Sequence, residues 1–179
     1  MLTLSLAPQA DGYWQGWNSL VGATSARECV DDDPTGLTND GDTSYFIIGR
    51  QALPSGRVSF HFFDGCEGVI PSSIVIACAA QKNTGNPVLE IGFAKSGIAA
   101  FDAATFTPGV GSYLKTSRTF TTNPFTGAAW TAADLVSLEP CVQMQVALIA
   151  TAKVSLFVIP TLAYTARFSV DHFPEGAIS

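Results

Sequence analysis

The sequence predicts an all-β protein, an antiparallel β-sandwich that carries one short helix near residues 131–138. Turn-forming clusters of Gly, Pro, Asn and Asp recur at intervals of about a dozen residues, as they do in sandwiches and barrels. The segments between these clusters are rich in β-branched and aromatic residues, which suit a pleated sheet. The length of 179 residues fits a single domain over residues 1–179, because no internal repeat or linker divides the chain.

The predicted strands follow one another along the chain with short turns between them. In the segment Arg57–Phe63, Val58 and Phe60 lie on one face of the strand, whereas Ser59 and His61 lie on the other. One face of this strand is therefore expected to line the core. The predicted strands are Leu2–Ala7, Asp42–Ile48, Arg57–Phe63, Ser73–Ala80, Val88–Ala94, Ile98–Phe101, Ser117–Thr121, Val142–Ala150 and Lys153–Thr165.

The helix is predicted from the signals at its two ends. Asn123–Pro124 and Gly127 supply a turn ahead of it. Thr131 occupies the N-cap position, and Asp134 follows three residues later, which is the spacing of a capping box with Asp in place of Glu. Pro140 ends the helix after about two turns.

Three apolar residues around this helix are predicted to anchor it on the sandwich. Trp130 comes directly before the N-cap, where its large ring can dock the helix on a sheet. Leu135 and Leu138 are three residues apart and so share one helix face. Trp130, Leu135 and Leu138 are therefore expected to be buried.

The composition points to a protein with a covered surface. Only 13% of the residues are charged, whereas ordinary soluble domains carry about 25%. Either the surface contacts a partner, or a large core is enclosed by uncharged polar residues. The formal net charge is −6, and the nine Lys and Arg residues are scattered along the chain. Nucleic acid is therefore not an expected partner.

No membrane partner is expected either. No apolar run reaches about 18 residues without a polar interruption. The segment Met1–Pro8 alternates apolar and polar residues, so it predicts a first strand and not a secretion signal. The tail Asp171–Ser179 is short and contains Pro174 and Gly176, and it is expected to reach a neighbour as an arm. The four cysteines match no C-x-x-C pattern, so reduced, partly buried thiols are expected.

The acidic segment Glu28–Thr43 offers weak candidates for a metal site, namely Asp31, Asp33, Asp40 and Asp42. Carboxylate and amide oxygens can bind Ca²⁺. The spacing is not that of an EF-hand, and Asp-Pro and Asp-Gly pairs also form ordinary turns. A solvated loop is the preferred interpretation, and no cofactor is expected.

No constellation in the sequence indicates catalysis. His61 and His172 are the two histidines, and no G-x-S-x-G motif accompanies them. Nothing in the spacing brings two of the carboxylates together in the way that glycoside cleavage requires. We therefore expect that the protein is not an enzyme.

Aromatic residues near the N-terminus allow a second kind of function. Tyr13, Trp14 and Trp17 lie close together in the sequence, and exposed rings can stack on sugars. Packing of the same rings on the sandwich is the alternative. Trp14 and Trp17 are thus candidate sugar-stacking residues.

Four motifs together resemble a known family. Asn123–Leu138 contains N-P-x-T-G-x-x-W-T-x-x-D-L-x-x-L, and the weaker motifs are Trp14–Trp17, Asp42–Tyr45 and Ile70–Ala77. This set, spread over most of residues 10–165, resembles tailed-bacteriophage virion structural or decoration proteins. The resemblance implies a small jelly-roll-like β-sandwich.

The same resemblance implies a function without catalytic residues. The chain would be a structural component of a phage particle that decorates or cements the capsid, or forms part of the tail or neck. Its partners would be other virion proteins and itself, as a homo-oligomer in which a trimer is favoured. It would be located in the virion, after assembly in the host cytoplasm. The alternative is a carbohydrate-binding, lectin-like module for host adsorption.

Overall fold

The computed structural model describes residues 2–30, 43–49, 56–95, 97–101, 104–145 and 150–165. These residues form two antiparallel β-sheets packed face to face, with one short α-helix in the described part of the chain. The predicted fold class, an all-β sandwich with one short helix, is therefore confirmed.

The strands are β1 (Leu2–Leu6), β2 (Ala10–Gln15), β3 (Trp17–Val21), β4 (Tyr45–Gly49), β5 (Arg57–His61), β6 (Ile70–Thr84), β7 (Leu89–Lys95), β8 (Ile98–Phe101), β9 (Leu114–Phe120), β10 (Glu139–Met144) and β11 (Thr151–Thr165). The helix α1 spans Ala132–Ser137, and a short 3₁₀ turn spans Arg27–Cys29.

The strand order is that of a jelly roll with an N-terminal extension. The six-stranded sheet has the order β3-β4-β11-β6-β9, and β1 pairs with the second half of β11. The five-stranded sheet has the order β2-β5-β10-β7-β8. Apart from the hairpin of β7 and β8, consecutive strands from β4 to β11 alternate between the sheets. The strands β4, β11, β6 and β9 thereby face β5, β10, β7 and β8, as in a jelly roll.

The main core lies between the two sheets and is rich in phenylalanine. The rings of Phe60 and Phe157, from opposite sheets, have centroids 5.2 Å apart, and Phe46 and Phe62 pack around them. The predicted alternation along β5 is confirmed, since Val58 and Phe60 are completely buried in the core. Contacts of this kind between rings add to the stabilisation that comes from area burial.

The long strands β6 and β11 are apolar on both faces. Outside the main core, Ala77 and Ala79 of β6 pack against Leu156 and Val158 of β11, and Tyr113 lies against this second cluster. These four side chains are almost completely buried. The six-stranded sheet is therefore covered on its outer face at this point.

The segment before α1 is held by hydrogen bonds between its turn and its cap. The side-chain amide of Asn123 donates to Asp134 Oδ1 at 2.7 Å, and Asn123 Oδ1 accepts the backbone N–H of Phe125. Gly127 has φ of +71°, a conformation that side chains with a Cβ rarely adopt. Thr131 and Asp134 form the capping box.

The apolar anchors of the helix enter the core. Trp130 is 3% exposed, and its indole N–H donates to the carbonyl of Phe120 at 3.1 Å. Its ring lies 5.3 Å from that of Phe93. Leu135 and Leu138 are also buried in the main core. The three predicted anchors of the helix are thus all buried in the sandwich core.

Some strand boundaries differ from the predicted ones for physical reasons. β2 and β3 lie outside the predicted strands, because Gly12 and Gly16 interrupt any alternation of apolar residues. Pro140 does not only end the helix, since it pairs with Phe93 inside β10. It is tolerated there because β5 pairs with β10 only from Cys141 onward, so a missing N–H costs no bond on that side.

The cysteines described by the structure are all reduced and buried: Cys29, Cys66, Cys78 and Cys141. Burial raises the pKa of the Cys78 and Cys141 thiols, so both remain protonated. In the described residues, the helices are too short to cross a membrane.

Candidate functional site

The centre of the five-stranded sheet presents polar side chains on its outer face. Arg57 of β5 pairs with Gln143 of β10, which in turn pairs with Glu90 of β7. The residues that alternate with them, such as Val142 and Ile91, lie in the main core. Arg57, Gln143 and Glu90 therefore form a row that crosses the outer face of three neighbouring strands.

A second row beside the first one consists of small residues. Ser59, Cys141 and Gly92 are register partners on the same three strands, and Phe101 of β8 pairs with Gly92. A Cβ at Gly92 would collide with the backbone of Ala100 and would lie 2.8 Å from the Phe101 ring. Gly92 thus allows the Phe101 ring to lie close to the sheet surface.

The guanidinium group of Arg57 lies over two aromatic rings. Its central carbon is 4.7 Å from the centroid of the Trp14 ring and 5.4 Å from the centroid of the Phe101 ring. Trp14 comes from β2 at one edge of the sheet and Phe101 from β8 at the other edge. Attraction between a cation and the negative faces of aromatic rings holds such an arrangement together. We call these three residues the aromatic–guanidinium stack.

Hydrogen bonds connect the stack to a chain of amide and carboxylate groups. Arg57 donates from Nε at 2.8 Å and from Nη2 at 2.5 Å to Oε1 of Gln143. The side-chain amides of Gln143 and Gln145 each donate to one oxygen of Glu90, at 3.4 and 3.0 Å. Burial raises the pKa of Glu90, and the two amides and Arg57 partly oppose this shift. We call Arg57, Gln143, Glu90 and Gln145 the polar row.

A bulge in β2 places Trp14 over this face. Asp11 pairs with Phe60 and Gln15 with Val58, so the three residues Gly12–Trp14 stand opposite the single residue Ser59. Such a bulge bends the strand and redirects its side chains. A Cβ at Gly12 would collide with Glu139 and Ser59, so glycine is required where the bulge approaches the sheet. We call Gly12–Trp14 the β2 bulge.

The carboxylate of Glu139 holds the β2 bulge in place. Its Oε2 accepts the backbone N–H of Tyr13 at 2.8 Å and the hydroxyl of Ser59 at 2.6 Å. The Ser59 hydroxyl in turn accepts the backbone N–H of Trp14 at 3.0 Å. Hydrogen bonds to a charged acceptor are stronger than those between neutral groups. Glu139 and Ser59 therefore position the β2 bulge, and with it the Trp14 ring, on the outer face of the sheet.

Ser59, His61 and Glu139 lie close together but do not form a nucleophile–base pair. His61 Nε2 lies 3.5 Å from Oε1 of Glu139, and the Ser59 hydroxyl donates to the same carboxylate. A catalytic serine needs its hydroxyl hydrogen-bonded to the base that removes its proton. Here the carboxylate takes that hydrogen bond, which suits a structural role.

The predicted sugar-stacking residues Trp14 and Trp17 are placed on different sheets, so they do not form one platform. Trp17 is 36% exposed and donates its indole N–H to Gln15 Oε1. Trp14 packs on Arg57, and its indole nitrogen is buried without a hydrogen-bond partner in the described structure. Tyr13, which packs edge-on against Trp14, is 69% exposed.

The candidate metal ligands fall in a part of the chain that the structure does not describe. Asp31, Asp33, Asp40 and Asp42 lie outside the described residues, as does the tail from Asp171. Within the described ranges, no group of three or more His, Cys, Asp or Glu side chains could hold a metal ion.

The polar row itself was not predicted from the sequence. The polar side of strand Arg57–Phe63 and the glutamines at positions 143 and 145 are visible as alternating residues. Their partner Glu90 belongs to a strand that is distant in sequence. The pairing β5-β10-β7 brings these residues together, and no local pattern encodes that order.

The comparisons with known proteins identify similar folds and no family. No family model matches the sequence, and no curated protein matches it either. The CBM22-1 xylan-binding domain of Paenibacillus barcinonensis Xyn10C is similar at 13% identity and a TM-score of 0.48, over 90% of this chain and 94% of that chain. The CBM1 domain of BiXyn10A, in its apo form, is similar at 10% identity and a TM-score of 0.39, over 90% and 96%.

A phage protein is also among the similar structures. The enzymatically active domain of tailspike protein 4 from bacteriophage CBA120 has 13% identity and a TM-score of 0.38. The similarity covers 84% of this chain and 19% of that one. All three similarities are distant and concern the β-sandwich fold.

Proposed function

We propose that this protein is a non-enzymatic carbohydrate-binding module whose binding face is the outer face of the five-stranded sheet. The observation that carries the proposal is the aromatic–guanidinium stack next to the polar row. Together they place aromatic, amide, carboxylate and guanidinium groups on one partly exposed surface. We call this surface the binding face.

The chemistry of the binding face suits a sugar. A sugar ring carries hydroxyl groups at its edge, which donate and accept hydrogen bonds, and C–H groups on its faces. Glutamine offers both a donor and an acceptor, a carboxylate accepts, and arginine donates. Aromatic rings provide rigid apolar area for the C–H faces. A few fixed polar groups beside apolar rings are the usual composition of a ligand site.

The groups of the binding face are fixed before any ligand arrives. Arg57 lies over two rings, Glu90 accepts from two amides, and Glu139 accepts two hydrogen bonds that fix the β2 bulge. A rigid site loses less conformational entropy on binding than a mobile one. This arrangement supports binding by a preorganised surface.

Affinity electrophoresis and calorimetry with a panel of soluble polysaccharides test the proposal. Arg57→Ala and Gln143→Ala should weaken retention at least about tenfold, a change that corresponds to roughly 1.4 kcal/mol. Lys115→Ala removes an exposed cation from β9 in the other sheet and should leave retention unchanged. Absence of binding to every polysaccharide by the folded protein would contradict the proposal.

A second candidate is the structural role in a tailed-phage particle, which is compatible with glycan binding. The resemblance of Asn123–Leu138 supports it, together with large apolar side chains left exposed, such as Val110 at 80% and Val136 at 78%. Exposed apolar residues on a protein of low charge favour contacts with other subunits. The expected partners are further copies, in a trimer, and other virion proteins of the capsid or tail.

Two measurements examine this second candidate. Sedimentation of the purified protein should show a homo-oligomer, and mass spectrometry of purified particles should detect the protein in many copies. A contact of more than about 1,000 Å² is expected between neighbours. A protein that sediments as a monomer and is absent from the particles would exclude this candidate and leave the carbohydrate-binding proposal intact.

A further inference from the structure

One half of the Arg57 guanidinium group has no partner in the described structure. Its Nε and Nη2 atoms both donate to Gln143 Oε1, and these two bonds use one edge of the planar group. The adjacent edge, formed by Nη1 and Nη2, makes no hydrogen bond or ion pair with the described residues. An edge of this kind has two parallel N–H groups that match the two oxygens of a carboxylate.

Within the described part of the chain, the cation is also without a counter-charge at contact distance. Among the described residues, no carboxylate oxygen lies within 4.0 Å of an Arg57 nitrogen, and Glu90 is reached only through Gln143. The two neighbouring acids are already engaged. Glu90 accepts from Gln143 and Gln145, and Glu139 accepts from Tyr13 and Ser59.

Two aromatic rings restrain the group that carries this edge. Trp14 and Phe101 both lie against Arg57, with ring centroids 4.7 and 5.4 Å from its guanidinium carbon. Partial removal of water by the rings strengthens an interaction with an anion above its value in open solution. A fixed, partly desolvated arginine edge without an acid of its own is suited to a carboxylate that arrives with a ligand.

We propose that the ligand of the binding face is an acidic glycan, and that a uronate carboxylate binds the Nη1–Nη2 edge of Arg57. This inference rests on the proposed carbohydrate-binding function and narrows it to one substrate class. The hydroxyl groups of the same or the next sugar unit would meet the amides of Gln143 and Gln145. The geometry distinguishes a planar carboxylate from a neutral substituent, which can accept only one of the two parallel N–H bonds.

The test uses wild-type protein with matched pairs of ligands. Polygalacturonate, alginate and hyaluronate are each compared with their methyl esters, which keep the sugar backbone and remove the charge. At least one acid form should bind at least about tenfold more tightly than its ester, as expected when a charge-assisted bidentate contact is lost. Because this comparison needs no variant, it does not depend on the folding of a substituted protein.

Variants then assign the effect to Arg57. Arg57→Lys keeps the charge but loses the two parallel N–H donors, and it should markedly reduce the preference for the acid form over the ester. Lys115→Gln, which removes a surface cation from the other sheet, should retain the preference. Circular dichroism verifies that each variant is folded.

The possible outcomes separate the two proposals. Binding of neutral polysaccharides or of esters as tightly as the acids would overturn the acidic-glycan inference while supporting the carbohydrate-binding function. An unchanged acid preference in folded Arg57→Lys would overturn the assignment to the arginine fork. Failure of the folded wild-type protein to bind any glycan, acidic or neutral, would overturn both.

Discussion

The backbone N–H of Tyr13 donates to the carboxylate of Glu139 at 2.8 Å, across 126 positions of the sequence. This bond joins the β2 bulge to β10, and the Ser59 hydroxyl bonds to the same oxygen. The position of Trp14 over Arg57 therefore depends on a carboxylate that does not belong to the polar row. Glu139 is a positioning residue for the binding face.

Substitution of Glu139 should loosen the β2 bulge without creating a cavity in the core. Glu139→Ala removes two hydrogen bonds to a charged acceptor, and we expect a loss of about 2–4 kcal/mol in the free energy of unfolding. The near-ultraviolet dichroism of Trp14 should weaken as well. Glu67→Ala, at an exposed acid in a turn, should change stability by less than about 0.5 kcal/mol. Equal stabilities of the two variants would show that Glu139 does not hold the bulge.

Truncation of Trp130 should destabilise the whole sandwich. The ring is 3% exposed and contacts Phe93, so Trp130→Ala should cost about 3–5 kcal/mol in a urea unfolding experiment. Trp130→Phe keeps part of the packing and loses the bond to Phe120, and its cost should be smaller. A loss below about 1 kcal/mol for Trp130→Ala would mean that the ring is not buried.

Removal of the Phe101 ring from the aromatic–guanidinium stack should lower the affinity for a ligand more than it lowers the free energy of unfolding. Phe101→Ala removes a ring that lies 5.4 Å from the Arg57 guanidinium carbon. We expect affinity for a bound glycan to fall by about threefold to thirtyfold, which corresponds to roughly 0.5–2 kcal/mol. Ile98→Ala, at an exposed position on the same strand, is the matched control. A similar affinity for both variants would remove Phe101 from the site.

The titration of Glu90 should contribute to the pH dependence of the free energy of unfolding. Burial raises the pKa of Glu90, so the folded state holds its proton to a higher pH than the unfolded chain does. This contribution to stability is present below the ordinary carboxyl pKa and is lost as pH rises through the raised pKa. The free energy of unfolding of wild type, measured in urea relative to that of Glu90→Gln, should therefore fall as the pH rises from about 3.5 to 7. Parallel curves would contradict this environment for Glu90.

The fold class and the helix could be predicted because their signals are local. Thr131 and Asp134 are three residues apart, and their capping box is present as predicted. The burial of Val58 and Phe60 follows from the alternation of their strand. Each of these features depends only on the spacing of residues within one segment, so a single sequence is enough to predict it.

The binding face could not be predicted because it depends on strand order and on a bulge. Arg57, Gln143 and Glu90 are adjacent only through the pairing of β5, β10 and β7. The sequence indicates Trp14 and Trp17 as candidate sugar-stacking residues. The β2 bulge instead directs Trp14 toward Arg57, and Trp17 continues into the other sheet.

The most direct test of the central claim is an NMR titration of the wild-type protein with a glycan it binds. The measurement follows the side-chain N–H signals of Arg57, Gln143 and Gln145, and the indole signals of Trp14 and Trp130. If the outer face of the five-stranded sheet binds carbohydrate, the signals of the first four residues will shift with a common saturation curve, and the buried Trp130 signal will not. Saturable shifts confined to other surfaces, with the signals of Arg57 and Gln143 unchanged, would contradict the account.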